Sequence, residues 1–433
     1  MPLAPRRQRA FTFVFGVTLL ALNGWASADP PSRVARLGYL SGPVSFSPAG
    51  ESDWVQAGLN RPLTSGDRLW SDRGGRVELQ LGGAMLRMAA DTALTLLNLD
   101  DRTTQLQLTQ GVLNLRVRRL PANQVFEINT PNLAFTLRRP GQYRISVDAA
   151  SNTTTVLVRQ GQGEAHGDRV VYLIEAGQPY RFSGSDLRQR QRLDEPRPDG
   201  FDRWASDRDR RDDNSTSGRY VSADVIGYQD LDRHGVWRVD AQHGNVWSPS
   251  GVSSGWAPYR DGHWDWINPW GWTWIDNAPW GFAVSHYGRW AHLGSGSGWA
   301  WVPGPMASRA YYAPALVVFV GGSANAMAWF PLAPREVYRP AYPVSRGYFE
   351  NLNRGNTVIN PAVIANTYNN VKVTNVTYAN RQVSGAVVAT STHAFVQSQP
   401  VARAAPPARV FERQVVARGP PDQKTKNSDE PEL

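Results

Sequence analysis

Apolar and polar residues alternate with a period of two along much of residues 33–183. Val77, Leu79 and Leu81 alternate with Glu78 and Gln80. Leu133, Phe135 and Leu137 alternate with Ala134, Thr136 and Arg138, and Tyr143, Ile145 and Val147 with Arg144, Ser146 and Asp148. Val156 and Val158 continue the pattern. A pleated strand sends successive side chains to opposite faces, so this period predicts strands with one buried face and the polar positions in solvent. Turn signals separate the runs: Asp72-Arg73-Gly74-Gly75, Gly82-Gly83, Pro140-Gly141 and Gly161-Gln162-Gly163. A β sandwich or solenoid of about twelve short strands is expected here, without a long amphipathic helix.

A different pattern occupies residues 220–345. Twelve of the chain's 17 Trp lie between Trp237 and Trp301. Gly235-Val-Trp237 is followed ten residues on by Trp247-Ser-Pro249, and Gly262-His-Trp264 ten on by Trp274-Ile-Asp276. Gly288-Arg-Trp290 is followed eleven on by Trp301-Val-Pro303, and Trp329-Phe-Pro331 is a degenerate fourth element. Equivalent Trp recur every 26 to 28 residues. That length holds two strands and two turns, so each unit is expected to be a Trp-anchored β-hairpin within a stack or small sheet.

Between these regions, residues 184–219 are expected to be a charged linker with a short solvated helix near 201–211. Within 185–213, 17 of 29 residues are charged, eight Arg against nine acids. Phe201 and Trp204 share a face of that helix and can staple it to a neighbour. Residues 346–399, rich in Asn, Val and Thr, are expected to form a β extension, with 371–377 as an exposed strand. Residues 400–433 carry the Ala, Pro and mixed-charge composition of a disordered tail. The overall expectation is an all-β chain, with the sandwich or solenoid followed by the Trp-rich hairpin repeats.

At the N-terminus, Arg6, Arg7 and Arg9 precede an apolar run over 10–22 and the small residues Ala26-Ser27-Ala28. This is the layout of an export signal over residues 1–28, cleaved after Ala28. No later apolar run reaches the ~20 residues that cross a bilayer as a helix. A periplasmic or secreted protein with no membrane span after cleavage is therefore expected.

Composition removes several classes of function. The chain has no Cys, so disulfides, thiolate metal sites and Cys nucleophiles are excluded. Net charge is +9 and drops to +6 once the three signal Arg are subtracted. The remaining Arg are interspersed with acids rather than set in a stripe, so no nucleic-acid partner is expected.

Two stretches resemble known families. Leu63-Thr-Ser-Gly66-Asp67-Arg68-Leu69, Gly75 to Leu81, Gln110-Gly111-Val-Leu, Thr130-Pro131, Pro140 to Val147, Val158-Arg-Gln-Gly161 and Glu175-Ala-Gly177-Gln178 together resemble the FecR domain. That domain is the periplasmic module of an iron-citrate signalling regulator. The resemblance covers residues 60–183 and implies a β module that presents a strand edge or face to a protein partner. FecR regulators begin with a cytoplasmic segment that contacts a sigma factor, followed by a membrane helix. This chain opens with an export signal instead, which speaks against direct sigma-factor control. The second stretch runs Trp256-Ala-Pro-Tyr259, Gly262-His-Trp-Asp-Trp266, Gly271-Trp-Thr-Trp274, Pro279-Trp-Gly281, His286 to Trp290 and Gly298 to Pro303. It is similar to a domain of unknown function that often follows FecR domains in bacterial envelope proteins.

Three groups of side chains are candidates for chemistry. The first is aromatic: Trp264, Trp266, Trp270, Trp272, Trp274, Trp280, Tyr287 and Trp290. Indole faces stack on sugar rings and anchor protein interfaces, so these residues can form a glycan platform or a docking surface. They can equally build the core of repeats that lack Ile and Leu. The second is histidine: five of the chain's seven His lie between His234 and His292, but their spacing matches no zinc signature. The third comprises Asp261, Asp265 and Asp276, whose turn-adjacent places favour capping over acid catalysis. No catalytic residue, metal or cofactor is expected. The reading is an exported, non-enzymatic binding or signalling protein of the envelope. Its FecR-like module would meet a protein partner and its Trp-rich module would dock. A peptidoglycan- or polysaccharide-binding module is the alternative, and a cell-wall hydrolase the third. The sequence leaves the oligomeric state open.

Overall fold

The structure is a computed structural model. It describes residues 29–401 apart from 295, 297, 321–324 and 371–375. The expected signal and all of the expected tail beyond residue 401 lie outside the described residues, as does most of the strand expected at 371–377. Among the described residues the chain is mostly β-strand, arranged in several sheets with few helices and no closed barrel.

Two sheets face each other in the first region. One runs in the order Pro62–Leu63, Ala35–Ser41, Arg76–Gln80, Ala84–Met88, the second half of Thr103–Val117, Gly141–Asp148, Thr153–Gln160, Tyr180–Ser183 and Gln189–Arg192. The other runs Val55–Gln56, Val44–Ser47, Arg68–Ser71, Thr92–Leu99, the first half of Thr103–Val117, Val125–Asn129, Ala134–Leu137, Gln162–His166 and Val171–Glu175. Leu37, Leu79, Leu86, Leu113 and Ile145 from the first sheet meet Leu69, Leu94, Leu106, Ile128 and Phe135 from the second in one apolar core. Strand Thr103–Val117 belongs to both sheets and switches between them at Gly111, where φ is +93°. A Cβ there would sit 2.3 Å from Thr92 Oγ1, so only glycine permits the switch.

One expectation fails within this sandwich. Glu78 and Gln80 occupy the polar phase of their strand, yet both are fully buried. The outer face of their sheet is covered by the helix Gly200–Asp213 and by the Trp-rich region. The helix starts at a capping box, in which Asp199 accepts from the Asp202 N–H and Asp202 accepts from the Asp199 N–H. It packs Phe201 and Ala205 inward, sets the Trp204 ring 5.5 Å from Tyr39 and sends Arg208 to Glu78. It is therefore a packed layer rather than a solvated segment of linker.

The repeats of the second region are hairpins in register. Trp237 pairs with Trp247, Trp264 with Trp274, Trp290 with Trp301 and Phe319 with Trp329. The glycine that opens each of the first three units makes room for an indole on the returning strand. A Cβ at Gly235 would lie 2.4 Å from the Trp247 ring, at Gly262 2.6 Å from Trp274 and at Gly288 2.5 Å from Trp301. The Gly-x-Trp spacing thus seats one indole over a bare backbone while its own Trp pairs across the hairpin.

Residues 346–399 correct the expected β extension. Among the described residues they fold as the helices Arg346–Asn356, Pro361–Asn369 and Thr392–Val396, and only Val388–Ser391 is a strand. Ser345 caps the first helix, and Asn360 followed by Pro361 starts the second. The Asn residues bond the interior. Asn353 accepts from the Tyr338 N–H (2.7 Å) and donates to its carbonyl (2.9 Å), and Asn380 donates to the carbonyls of Trp290 (2.7 Å) and Pro331 (3.0 Å). A side-chain amide that satisfies buried backbone groups leaves the same compositional trace as a turn.

Candidate functional site

The eight aromatic candidates lie together in the structure but face inward. Trp264, Trp270, Trp272, Trp274, Trp280, Tyr287 and Trp290 are all buried, and only Trp266 is partly exposed. Trp264 is the hub, with Trp274, Trp329, Phe319 and Phe395 between 5.1 and 5.6 Å away. Several indole N–H groups of the region end on internal acceptors: Trp247 on the Leu231 carbonyl, Trp290 on Val284, Trp301 on Tyr287 and Trp329 on Tyr259. A sugar stacks on an exposed ring face, and seven of these eight residues offer none. As a glycan platform this set is corrected: it is the core of the Trp-rich region.

Tyr259 organises that core from a left-handed backbone conformation, with φ of +58°. Three bonds hold it there. Its hydroxyl donates to the Ser285 carbonyl (2.7 Å) and accepts from the Leu316 N–H (3.2 Å), and its carbonyl accepts from Trp329 (3.0 Å).

The titratable candidates are structural as well. His286 shares Nδ1 with the Ala313 carbonyl at 2.8 Å, and burial holds its pKa down at about 3, so the ring is neutral. Asp276 accepts from the Trp274 indole and the Ala278 N–H, both at 2.9 Å; burial raises its carboxyl to about 6. Asp265 pairs with Arg61 of the sandwich and accepts from Ser398 Oγ at 3.1 Å. Among the described residues no three His, Asp or Glu converge as metal ligands.

The most elaborate polar constellation joins the two regions. Arg36, on the outer face of the sandwich, donates to Asp230 (2.6 Å), to Asn60 Oδ1 (3.1 and 2.8 Å), to Gln80 (3.0 Å) and to the Pro279 carbonyl (2.8 Å). Asn60 Nδ2 donates onward to the carbonyls of Asp276 (2.9 Å) and Ala278 (2.7 Å). Beside it, Glu78 is enclosed by Arg87 (2.8 Å) and Arg208 (2.6 Å). Burial works to raise the Glu78 pKa, but these guanidinium groups outweigh it and bring it to about 2. The two regions are thus one packed unit, and the loop 276–280 of the Trp-rich region is read by Arg36 and Asn60.

The exposed aromatic feature is one that periodicity passed over. Trp54 is 46% exposed beside exposed Val55 and Leu59. The Arg68 guanidinium lies 5.3 Å from its ring and is itself fixed by Ser47 Oγ (2.7 Å) and the Glu51 carbonyl (2.6 Å). Strand Val55–Gln56 is the end of its sheet and pairs only with Val44–Ser47 among the described residues. Trp54 sits between Asp53 and a two-residue strand, too short a run for an alternation to flag it. The available signal was a lone Trp outside the repeat block.

Comparison with known proteins adds a family and two structures. No curated protein matches the chain. Two solved structures are similar to part of the chain, each a "putative anti-sigma factor" from Parabacteroides distasonis ATCC 8503. They are 12% and 13% identical, with TM-scores of 0.27 and 0.24, over 30% and 27% of this chain. The chain spans 59% and 55% of their lengths. Residues 228–336, the Trp hairpins and the strands that close them, match the model of a family of unknown function (DUF6600).

Proposed function

We propose that this protein is an exported, non-enzymatic binding protein of the bacterial envelope that meets a protein partner through the β surfaces of its sandwich. The Trp-rich region, its indoles packed inward, is held to the sandwich by Arg36 and Asn60. The observation that carries this reading is the Trp54–Arg68 stack at an open sheet edge. Trp and Arg dominate interface hot spots, and a guanidinium already fixed in place loses little entropy on binding. The FecR resemblance, which implies β surfaces offered to a partner, supports the same reading. The inward packing of the indoles removes the main support for the polysaccharide alternative.

The test places a photocrosslinking side chain at position 54, and as a control at exposed Val358, in the exported chain in its native envelope. A discrete protein adduct from position 54 and none from 358 is the expected result. Purified protein is also spun down with insoluble peptidoglycan. Co-sedimentation without a position-54 adduct would overturn the proposal in favour of wall binding.

A further inference from the structure

The end of the second sheet opposite Trp54 is a different kind of edge. Strand Val171–Glu175 pairs along one side with Gln162–His166, and no other strand pairs with it among the described residues. The Gly167 N–H donates to the Val170 carbonyl at 2.9 Å, which sets the alternation of the ladder. By that alternation the peptide groups of Val171, Leu173 and Glu175 point away from the sheet. Natural edges are protected by shortness, by charge or by bulges. Val55–Gln56 is two residues long, and Gln189–Arg192, at the end of the other sheet, carries Arg190 and Arg192. Val171–Glu175 has five residues in regular register, with Val171 55% and Leu173 51% exposed.

The chemistry of this edge is self-complementary. Its inward face is Val170, Tyr172 and Ile174, and its outward face reads Arg169, Val171, Leu173, Glu175, all exposed. We propose that this edge pairs with the same edge of a second copy of the chain, antiparallel, with a two-fold axis at Tyr172. Val171 then lies opposite Leu173 of the second copy, and Arg169 opposite its Glu175. The symmetry repeats each pair. The Val171–Leu173 pairs are the ones whose peptide groups point outward, so each exchanges two N–H···O bonds. Other placements lose this match. An axis at Leu173 sets Val171 against Glu175 and Arg169 against Gly177, and an axis at Val171 sets Arg169 against Leu173. Arg169 is exposed, and the Glu175 carboxylate accepts within its own chain from Gln162 Nε2 at 3.4 Å, a long neutral bond that a guanidinium across the axis outcompetes. The paired copies form one continuous sheet, with the Trp54 edges free at its two ends.

Sedimentation velocity on residues 29–433, from about 1 to 200 μM, tests this, since dimers of this affinity range are resolved there. The wild type is expected to show a reversible monomer–dimer equilibrium. Arg169→Glu or Glu175→Arg each places like charges together twice, and is expected to raise the dimer Kd by about tenfold or more. The double variant restores opposite charges and is expected to return within about threefold of wild type. Both positions are exposed, and circular dichroism confirms that each variant is folded. A wild type that stays monomeric throughout overturns the proposal. So does a dimer indifferent to the single reversals, or one that the double variant fails to restore.

Discussion

Arg36 and Asp230 stand 194 positions apart in sequence and meet at 2.6 Å, with Arg36 only 1% exposed. A buried guanidinium is tolerated only when its donors are satisfied, and Asp230, Asn60, Gln80 and the Pro279 carbonyl do this together. The contact joins the sandwich to the Trp-rich region directly.

Arg36→Ala removes the donor and leaves Asp230 and the Pro279 carbonyl unpartnered. Breaking one side of a buried pair costs about 3–5 kcal/mol. Calorimetry of the wild type is expected to give one cooperative transition over both regions. The variant is expected to split it, with the Trp-rich region, followed by its fluorescence, melting first. A single transition that merely shifts would show that Arg36 stabilises without coupling.

The repeat glycines are not interchangeable with turn glycines. At Gly262 a Cβ would meet the Ile275 carbonyl at 2.3 Å and the Trp274 ring at 2.6 Å; at Gly244 nothing lies within 4 Å, although φ is +72°. Gly262→Ala is therefore expected to cost several kcal/mol, about 3 or more, by displacing a buried indole. Gly244→Ala should cost about 1 kcal/mol of backbone strain. Urea unfolding of the two variants separates these outcomes.

Two carboxylates give opposite pH signatures. Glu78 has its pKa lowered to about 2 by Arg208 and Arg87 against the cost of burial, so its contribution is complete above its unfolded value near 4.5 and is lost as pH falls toward 2. Asp67 is raised to about 6 by burial, even though the N–H groups of Thr64 and Ala49 bond it. Its unfolded form releases its proton near 3.8, so stability declines as pH rises from about 4 to 6. Glu78→Gln is expected to flatten the acid limb of the stability curve and lower stability at pH 7. Asp67→Asn is expected to reduce the decline between pH 4 and 6 without abolishing it, because Asp276 is likewise raised to about 6 by burial. Denaturant midpoints measured from pH 2 to 8 check both.

The indole core predicts a silent fluorescence response to sugars. Soluble muropeptides and oligosaccharides are expected to leave the emission maximum unchanged, and iodide to quench only a minor fraction, led by Trp54. Trp264→Ala is expected to cost about 3–5 kcal/mol, measured by thermal melting, whereas Trp54→Ala should leave the melt within about 0.5 kcal/mol. A glycan-induced shift that Trp264→Ala abolishes while the fold survives would contradict the inward packing.

Local periodicity determined a good deal by itself. Alternation at 77–81, 133–138 and 143–148 marked strands because a pleat exposes every second residue. The 26 to 28-residue return of Trp marked hairpins because two strands and their turns have that length. Tertiary structure decided which side of each element is covered. Glu78 and Gln80 read as solvent-facing from their neighbours, but the helix Gly200–Asp213 closes over their face, and the loop 276–280 closes over Arg36 and Asn60 beside them. Seven of the eight aromatic candidates point inward because hairpins distant in sequence pack their indoles against one another. The Asn residues of 346–380 bond the interior because the carbonyls they satisfy, at Trp290, Tyr311, Pro331 and Tyr338, arrive from other segments of the chain. A period of two or 27 encodes an element's own geometry, whereas burial depends on what arrives from elsewhere in the chain, and only packing places those residues together.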